Sequence, residues 1–143
     1  MNILKIKKIN SKAIVPKAAT SGSACFDLYC CESFSLFNGY FKMARTGLIF
    51  EIPEGYHIEI YPRSSMAKRG IIIPNSPGII DSDYRGEVKV MLYGLFMRNH
   101  EIFQIGSRIA QCRLVKNLST KIKVVNKLSE TERGSGGFGS TGK

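Results

Sequence analysis

Short alternations of apolar and polar residues, divided by turn residues, run along most of the chain. Residues 47–61 (GLIFEIPEGYHIEIY) contain two apolar stretches on either side of Pro53–Gly55, which predicts two strands joined as a hairpin. Residues 88–93 alternate in the same way and predict a strand with one buried face. Further strands are predicted at 108–116 and 121–125, with weaker candidates at 1–9 and 24–30.

Helical patterns are nearly absent. The best candidate is the segment at 64–69 (SSMAKR), with Ser64 as the predicted N-cap and Gly70 as the predicted stop. Many short strands with frequent turn signals predict an all-β fold, a jelly-roll-like β-barrel or sandwich with at most one short helix. We find no internal repeat, and we predict a single β domain over residues 1–132.

The glycine-rich segment at 133–143 (RGSGGFGSTGK) differs in composition from the rest of the chain. It contains one aromatic and no aliphatic residue, so we predict a flexible segment that becomes ordered only on a ligand. A terminus without a role is the alternative. Arg133, Ser140 and Thr141 could offer a cation and hydroxyls to phosphate, and Phe138 could offer a ring to a base.

The formal net charge of +10 over 143 residues favours anionic partners such as nucleotides, nucleic acids or anionic lipids. Contact with nucleic acid is possible on this ground but is not required, because a solvated basic surface would have the same composition.

The four cysteines lack the spacing of a zinc site and are predicted to be reduced thiols. No apolar run approaches the ~20 residues of a membrane span, so we expect no membrane association and a cytoplasmic location, or a nuclear one in a eukaryote or virus.

Three clusters could carry chemistry. The sequence DSDYRG at 81–86 places two carboxylates, an aromatic ring and a cation in a turn just before a predicted strand. A carboxylate there could serve as a general base or a metal ligand, although an ordinary solvated hairpin turn is the alternative.

The second cluster is PRSS at 62–65, where an arginine and free backbone N–H groups at a helix start could bind an anion. A simple helix cap beside a surface arginine is the alternative.

The third cluster is SACFDL at 23–28, where Asp27 lies in an apolar strand start and needs a partner such as an arginine or the water shell of a metal. A structural aspartate bonded to turn N–H groups remains the alternative.

Taken in order, five segments resemble the five motifs of the trimeric dUTPase family. They are SACFDL (23–28), PRSSMA (62–67), NSPGIIDSDYRG (75–86), GSRIAQ (106–111) and RGSGGFGSTG (133–142). The resemblance implies a homotrimer of jelly-roll-like subunits (a dUTPase-like β-clip), with three active sites that each take residues from all three chains. It also implies Mg²⁺ on the triphosphate of dUTP and attack of water on the α-phosphorus. The products would be dUMP and pyrophosphate, which limits uracil incorporation into DNA and supplies dUMP for thymidylate synthesis.

The resemblance also implies roles for individual residues. Asp81 would orient and deprotonate the attacking water, and Tyr84 would pack on the deoxyribose and exclude a 2′-hydroxyl. Asp27 would hold Mg²⁺ through its water shell. The other implied substrate-binding positions are Asn75 with backbone groups of Gly78 and Ile80 at the uracil edge, Arg63, Ser64, Ser65 and Gln111 around the phosphates, and Arg133, Phe138, Gly139, Ser140 and Thr141 in the tail.

Three positions depart from the common family pattern. The family often has Gly where this chain has Cys25 and Ser65, and often has Asn where this chain has Gly94.

One rival is the related dCTP deaminase, which carries a catalytic Glu where this chain has Met91, so the general base of that reaction is missing. A dUTPase-like trimer that only binds protein or nucleic acid is a second rival. The complete set of motifs favours hydrolysis.

Overall fold

The computed structural model describes residues 3–137. Within this range the chain forms twelve β-strands and one short α-helix, which confirms the predicted fold class. No helix in the described range is long and apolar enough to cross a membrane. The elements are β1 (Lys5–Lys8), β2 (Lys17–Ala18), β3 (Phe26–Tyr29), β4 (Phe34–Leu36), β5 (Phe41–Arg45), β6 (Leu48–Glu51), β7 (Tyr56–Tyr61), α1 (Ser64–Lys68), β8 (Ile71–Ile72), β9 (Gly78–Ile80), β10 (Lys89–Gly94), β11 (Glu101–Phe103) and β12 (Arg108–Lys116).

The strands form four antiparallel sheets around one apolar core. The largest sheet has the order β2-β3-β12-β7-β9, and a second has the order β5-β10-β8. The pairs β1-β6 and β11-β4 complete the structure. Each sheet contributes side chains to the same buried cluster, for example Ile58, Leu92, Phe50 and Leu36. Burial of such side chains is the main favourable term in folding, at roughly 1.5–3 kcal/mol for each one fully buried.

The predicted hairpin at 47–61 is wrong, although its turn is present. Tyr56 N donates to Pro53 O at 3.2 Å, and Gly55 has a φ of 77°. However, β6 pairs with β1, whereas β7 pairs with β12 and β9. The turn therefore carries the chain from one sheet to another, because each strand pairs with a strand that is remote in sequence.

Most of the other predicted elements are confirmed, namely the strands at 24–30, 88–93, 108–116 and near the N-terminus, and the helix that stops at Gly70. The predicted strand at 121–125 is wrong, since no strand lies there to pair with it and Ile122 and Val124 are 90% and 93% exposed. Ser64 is not the N-cap. Arg63 has the extended backbone of that position and Ser64 is the first helical residue, so no side chain caps the helix start.

Close packing explains why position 94 is a glycine. A Cβ on Gly94 would lie 2.6 Å from the Sδ of Met97 and 3.0 Å from the carbonyl carbon of Phe37. Gly39 N donates to Gly94 O at 2.7 Å, so the turn after β4 lies directly on the end of β10. A larger residue cannot enter without moving that turn.

We therefore expect Gly94→Ala to lower the melting temperature, because overpacking of this kind costs about 1–3 kcal/mol. Gly22→Ala is a matched control, since a Cβ at Gly22 would meet no atom within 4 Å. Thermal unfolding of the two variants measures the difference. Equal melting temperatures would contradict the packing explanation.

Candidate active site

A cavity of about 320 Å³ opens beside the loop that follows β9, and we call it the Tyr84 pocket. It gathers five of the predicted site residues from the third motif. Its lining consists of Met43, Ile60, Asn75, Gly78, Ile79, Ile80, Asp81, Tyr84, Glu87, Lys89 and Met91.

One wall of the Tyr84 pocket comes from β9 and the turn before it. Gly78 is buried, and a Cβ there would lie 3.2 Å from the Nδ2 atom of Asn75, so the glycine lets the Asn75 amide pack against the strand. In the described sheet β9 is an edge strand that pairs with β7 alone. An edge strand has unpaired backbone N–H and C=O groups, which can form hydrogen bonds with a flat polar ligand such as a base.

Asp81 and Tyr84 lie at the mouth of the same pocket. The turn between them is closed by a hydrogen bond from Tyr84 N to Asp81 O at 3.2 Å. Asp81 is exposed, and the Tyr84 side chain is 44% exposed. The carboxylate is thus within reach of water, and a general base has to reach the proton that it accepts.

A second cavity of about 470 Å³, which we call the Arg63 pocket, lies at the junction of β3, β12 and the start of α1. It brings together four predicted residues from the first, second and fourth motifs. It is lined by Ala19, Ser23, Ala24, Cys25, Asp27, Arg63, Ser64, Arg108 and Gln111.

Two guanidinium groups surround one carboxylate in the Arg63 pocket. Arg63 Nε lies 2.9 Å from Asp27 Oδ1, and Arg108 Nη1 lies 3.5 Å from Asp27 Oδ2. The partner that Asp27 was expected to need is therefore an arginine. Because two cations face one anion, the pocket has an excess of positive charge and favours an anionic ligand.

Arg108 was not among the predicted site residues, although it lies in the fourth motif. A second arginine beside a site that already contained one was the signal that could have identified it. Gln111, which was predicted, is in register with Asp27, and its Nε2 donates to Pro62 O at 3.0 Å. Ser65 lies outside the pocket lining, where its hydroxyl accepts from Arg63 Nη1 at 3.3 Å.

A charged network flanks the Arg63 pocket on the same face of the sheet. Arg113 donates to Glu59 Oε2 through Nε and Nη2 at 3.1 and 3.0 Å, and the Tyr61 hydroxyl donates to the same oxygen. The hydrogen bond from Tyr61 is the main reason that the pKa of Glu59 lies below its ordinary value, and the Arg113 guanidinium lowers it further. This network stabilises the end of β7 at Tyr61, two residues before Arg63.

The two pockets open on opposite faces of the five-stranded sheet. Cross-strand partners lie on one face of a sheet, and neighbours along a strand lie on opposite faces. Asp27, Gln111 and Tyr61 are in register and share one face. Ile60, the neighbour of Tyr61, is in register with Gly78 on the other face. The two linings come from adjacent strands where Ile60 lies on β7 and Gln111 lies on β12, so the sheet itself separates the pockets.

Arg133 is not among the lining residues of either pocket. Arg133 lies in an exposed turn, where its Nε donates to Gly136 O at 2.8 Å. Phe138, Gly139, Ser140 and Thr141, which were predicted to contact substrate, lie outside the described residues. Their roles and that of Arg133 stay predictions.

A mostly β chain with an open strand edge in one pocket and an excess of positive charge in another has the features expected of a nucleotide-binding protein. A family model described as dUTPase matches residues 11–142. The deoxyuridine 5'-triphosphate nucleotidohydrolase of Nautilia profundicola is 48% identical over 143 residues, covering 98% of this chain and 99% of that protein. The protein of the same name from Hydrogenobaculum sp. is 43% identical over 141 residues, with 97% of each chain covered.

Solved structures share the fold. A mutant dUTPase of Staphylococcus bacteriophage 80alpha with dUpNHpp covers 100% of both chains at a TM-score of 0.86 and 23% identity. A mutant dUTPase from phage phi11 of S. aureus, whose structure concerns the coordination of a structural Mg(II) ion, covers 90% of this chain and 100% of its own. Its TM-score is 0.82 at 18% identity. The chain belongs to the dUTPase family, whose reaction is the hydrolysis of dUTP to dUMP.

The network beside the Arg63 pocket predicts a pH-dependent stability. Because the pKa of Glu59 is lowered on folding, its contribution is present at neutral pH and is lost as pH falls through the lowered value. We expect Glu59→Gln to have a lower melting temperature than wild type at pH 7. That difference should shrink well below the ordinary glutamate pKa of about 4.3.

Glu54→Gln, in the exposed turn before β7, is the control and should track the wild type. Thermal unfolding between pH 3 and pH 7 checks the expectation. A Glu59→Gln deficit that stays constant over this range would show that the carboxylate charge is not what stabilises the network.

Proposed function

We propose that this chain hydrolyses dUTP to dUMP and pyrophosphate in active sites shared between the subunits of a homotrimer. The observation that carries the proposal is the placement of the Tyr84 pocket and the Arg63 pocket on opposite faces of one sheet. A nucleotide in the Tyr84 pocket would have to pass around the sheet edge at β9 and cross β7 to reach the Arg63 pocket of the same chain. A Tyr84 pocket that faces the Arg63 pocket of a neighbouring subunit removes this obstacle.

In this arrangement the Tyr84 pocket holds the nucleoside. Asn75 and the backbone groups of Gly78 and Ile80 bind the uracil edge, and Tyr84 packs on the deoxyribose. A site that hydrogen-bonds a particular base edge rejects a mispaired analogue strongly, because its own polar groups would be left unpaired. Met91 also lines this pocket, so the position that carries the catalytic Glu of the deaminases offers no carboxylate here.

The Arg63 pocket holds the triphosphate. Arg63, Ser64 and Gln111 supply the predicted contacts, Ser65 supports Arg63, and Arg108 adds a second guanidinium. In the ligand-free chain Asp27 neutralises part of this charge. Phosphate oxygens compete for the same two arginines, and charge-assisted contacts of this kind are among the strongest hydrogen bonds in proteins.

The donor set fits Mg²⁺ that arrives with the nucleotide. Asp27 is a half-buried carboxylate in the Arg63 pocket, and residues 3–137 contain no cluster of three or more metal-ligating side chains. Mg²⁺ is commonly held by one or two carboxylates, water and substrate phosphates rather than by a protein cage. Asp27 would hold the ion through its water shell, and the ion would neutralise charge on the phosphates.

Asp81 is the proposed general base. Its exposed carboxylate at the mouth of the Tyr84 pocket accepts a proton from water as the water oxygen bonds to the α-phosphorus. The bond from that phosphorus to the oxygen bridging to the β-phosphorus then breaks, and pyrophosphate leaves. Positioning and charge stabilisation by Arg63 and Arg108 supply much of the remaining rate enhancement.

Two exposed apolar surfaces support assembly into an oligomer. One face of the β5-β10-β8 sheet presents Phe41, Met43, Met91 and Tyr93, with Phe41 53% exposed. The second surface is the segment after β12, whose exposed apolar residues are Leu118, Ile122, Val124, Val125 and Leu128. Surfaces of this kind usually mark an interface, and closed symmetry lets identical copies cover each other. The number three comes from the family resemblance.

We further propose that the tail of a third subunit closes the site. Arg133, Gly139, Ser140 and Thr141 would contact the phosphates, and Phe138 would stack over the uracil. The segment 117–135 is exposed throughout and would give the tail the reach to leave its own subunit. The free thiols of Cys30, Cys31 and Cys112, all buried, suit a reducing compartment such as the cytoplasm.

The proposed base predicts that Asp81→Asn lowers kcat by about 10²–10⁴-fold, because a general base contributes that much, while dUTP still binds. Pyrophosphate release with Mg²⁺ and dUTP, UTP, dCTP or dTTP measures turnover and selectivity, and calorimetry with dUTP measures binding. Asp83→Asn is the matched control, since Asp83 lies in the same turn but outside the pocket lining. Substantial turnover by Asp81→Asn, or equal losses in both variants, would contradict the assignment.

A further inference from the structure

Gly86 lies directly beneath the Tyr84 ring. A Cβ on Gly86 would lie 2.9 Å from the Cε2 atom of Tyr84 and closer still to its Cζ and Oη atoms. Contacts under about 3 Å do not occur for real Cβ atoms, so the ring occupies space that any other residue at 86 would fill. The backbone of Gly86 does not have the positive φ that would itself require glycine.

The Tyr84 ring is also tethered in this position. Its hydroxyl donates to the backbone O of Glu87 at 3.2 Å. The Glu87 carboxylate in turn accepts from Gly47 N at 2.8 Å and from Arg45 Nε at 3.0 and 3.2 Å. The ring is therefore held against a segment that is anchored to the turn between β5 and β6.

We propose that Gly86 is a specificity-determining position for the sugar, because its missing side chain sets where the Tyr84 ring lies. The inference rests on the proposed role of Tyr84 as the group that excludes a 2′-hydroxyl. With alanine at 86, the added methyl group displaces the ring from its tether. A displaced ring no longer occupies the space beside the 2′ carbon, so a ribonucleotide is admitted. Gly86 itself is a positioning residue and touches no reacting atom.

The test compares four variants: Gly86→Ala, Tyr84→Ala, the double variant, and Gly22→Ala as the matched control. Both glycines have backbones that admit alanine, but a Cβ at Gly22 meets no atom within 4 Å. The quantity measured is kcat/KM for dUTP divided by kcat/KM for UTP. A merely structural loss lowers both values together and leaves this ratio unchanged.

We expect Gly86→Ala and Tyr84→Ala each to lower the ratio by about tenfold or more, because a steric contact of one or a few atoms discriminates on this scale. Gly22→Ala should keep the wild-type ratio. The double variant should match Tyr84→Ala, since the added methyl group then has no ring to displace.

A wild-type ratio in Gly86→Ala, with a lowered ratio in Tyr84→Ala, would overturn the proposal and leave the role of Tyr84 intact. An unchanged ratio in Tyr84→Ala would overturn both, although dUTP hydrolysis would still stand if turnover of dUTP persists. If Gly86→Ala alone fails to fold, recovery of folding in the double variant supports the contact, and failure of both variants overturns it.

Discussion

The register of the five-stranded sheet determines the rest of the site. The pairing of β3, β12 and β7 puts Asp27, Gln111 and Tyr61 side by side, so the groups that we propose to bind phosphate lie together on one face. The same register turns Ile60 and Gly78 to the opposite face, where the third motif forms its own pocket. A shift of one residue in any of these pairs would exchange the two faces. The division of the site into two halves is thus built into the hydrogen bonding of the backbone.

This division is the reason for our proposal that an assembly of several chains is the functional unit. The described residues of one chain form two pockets on opposite faces of the sheet, and they expose two apolar surfaces. In the proposed assembly, identical chains would cover the exposed side chains of β5 and β10 and would bring the Tyr84 pocket of one chain to the Arg63 pocket of another. The charge of the Arg63 pocket fits the same arrangement. Asp27 neutralises only part of the charge of Arg63 and Arg108, so these guanidinium groups could still bind a phosphate.

Elements defined by local chemistry could be predicted from the sequence. The alternation of Val88, Val90 and Leu92 predicted β10, and Gly70 predicted the end of α1, because both signals act over a few residues. The third motif supplied Asn75, Asp81 and Tyr84 as candidate site residues, and the structure brings these three into one pocket. The turn at Pro53–Gly55 led to the wrong prediction of a hairpin, because strands remote in sequence decide which strands pair. The alternation at 121–125 led to a wrong prediction for a related reason, since an apolar alternation forms a strand only where a partner strand lies beside it, and none lies beside this segment within the described residues. Arg108 and the fit of Gly86 under Tyr84 depend on three-dimensional packing that no local pattern encodes.

The most direct test of the shared-site account mixes two inactive variants, one damaged in each half-site. Asp81→Asn damages the Tyr84 pocket, and Arg63→Ala damages the Arg63 pocket. Each is unfolded and refolded alone or as an equal mixture, and pyrophosphate release from dUTP is then measured. If each site combines pockets from two chains, random assembly leaves about a quarter of the sites with both halves intact, and activity returns to about that fraction of wild type. If both pockets of a site belonged to one chain, the mixture would stay as inactive as its components, and the account would be wrong.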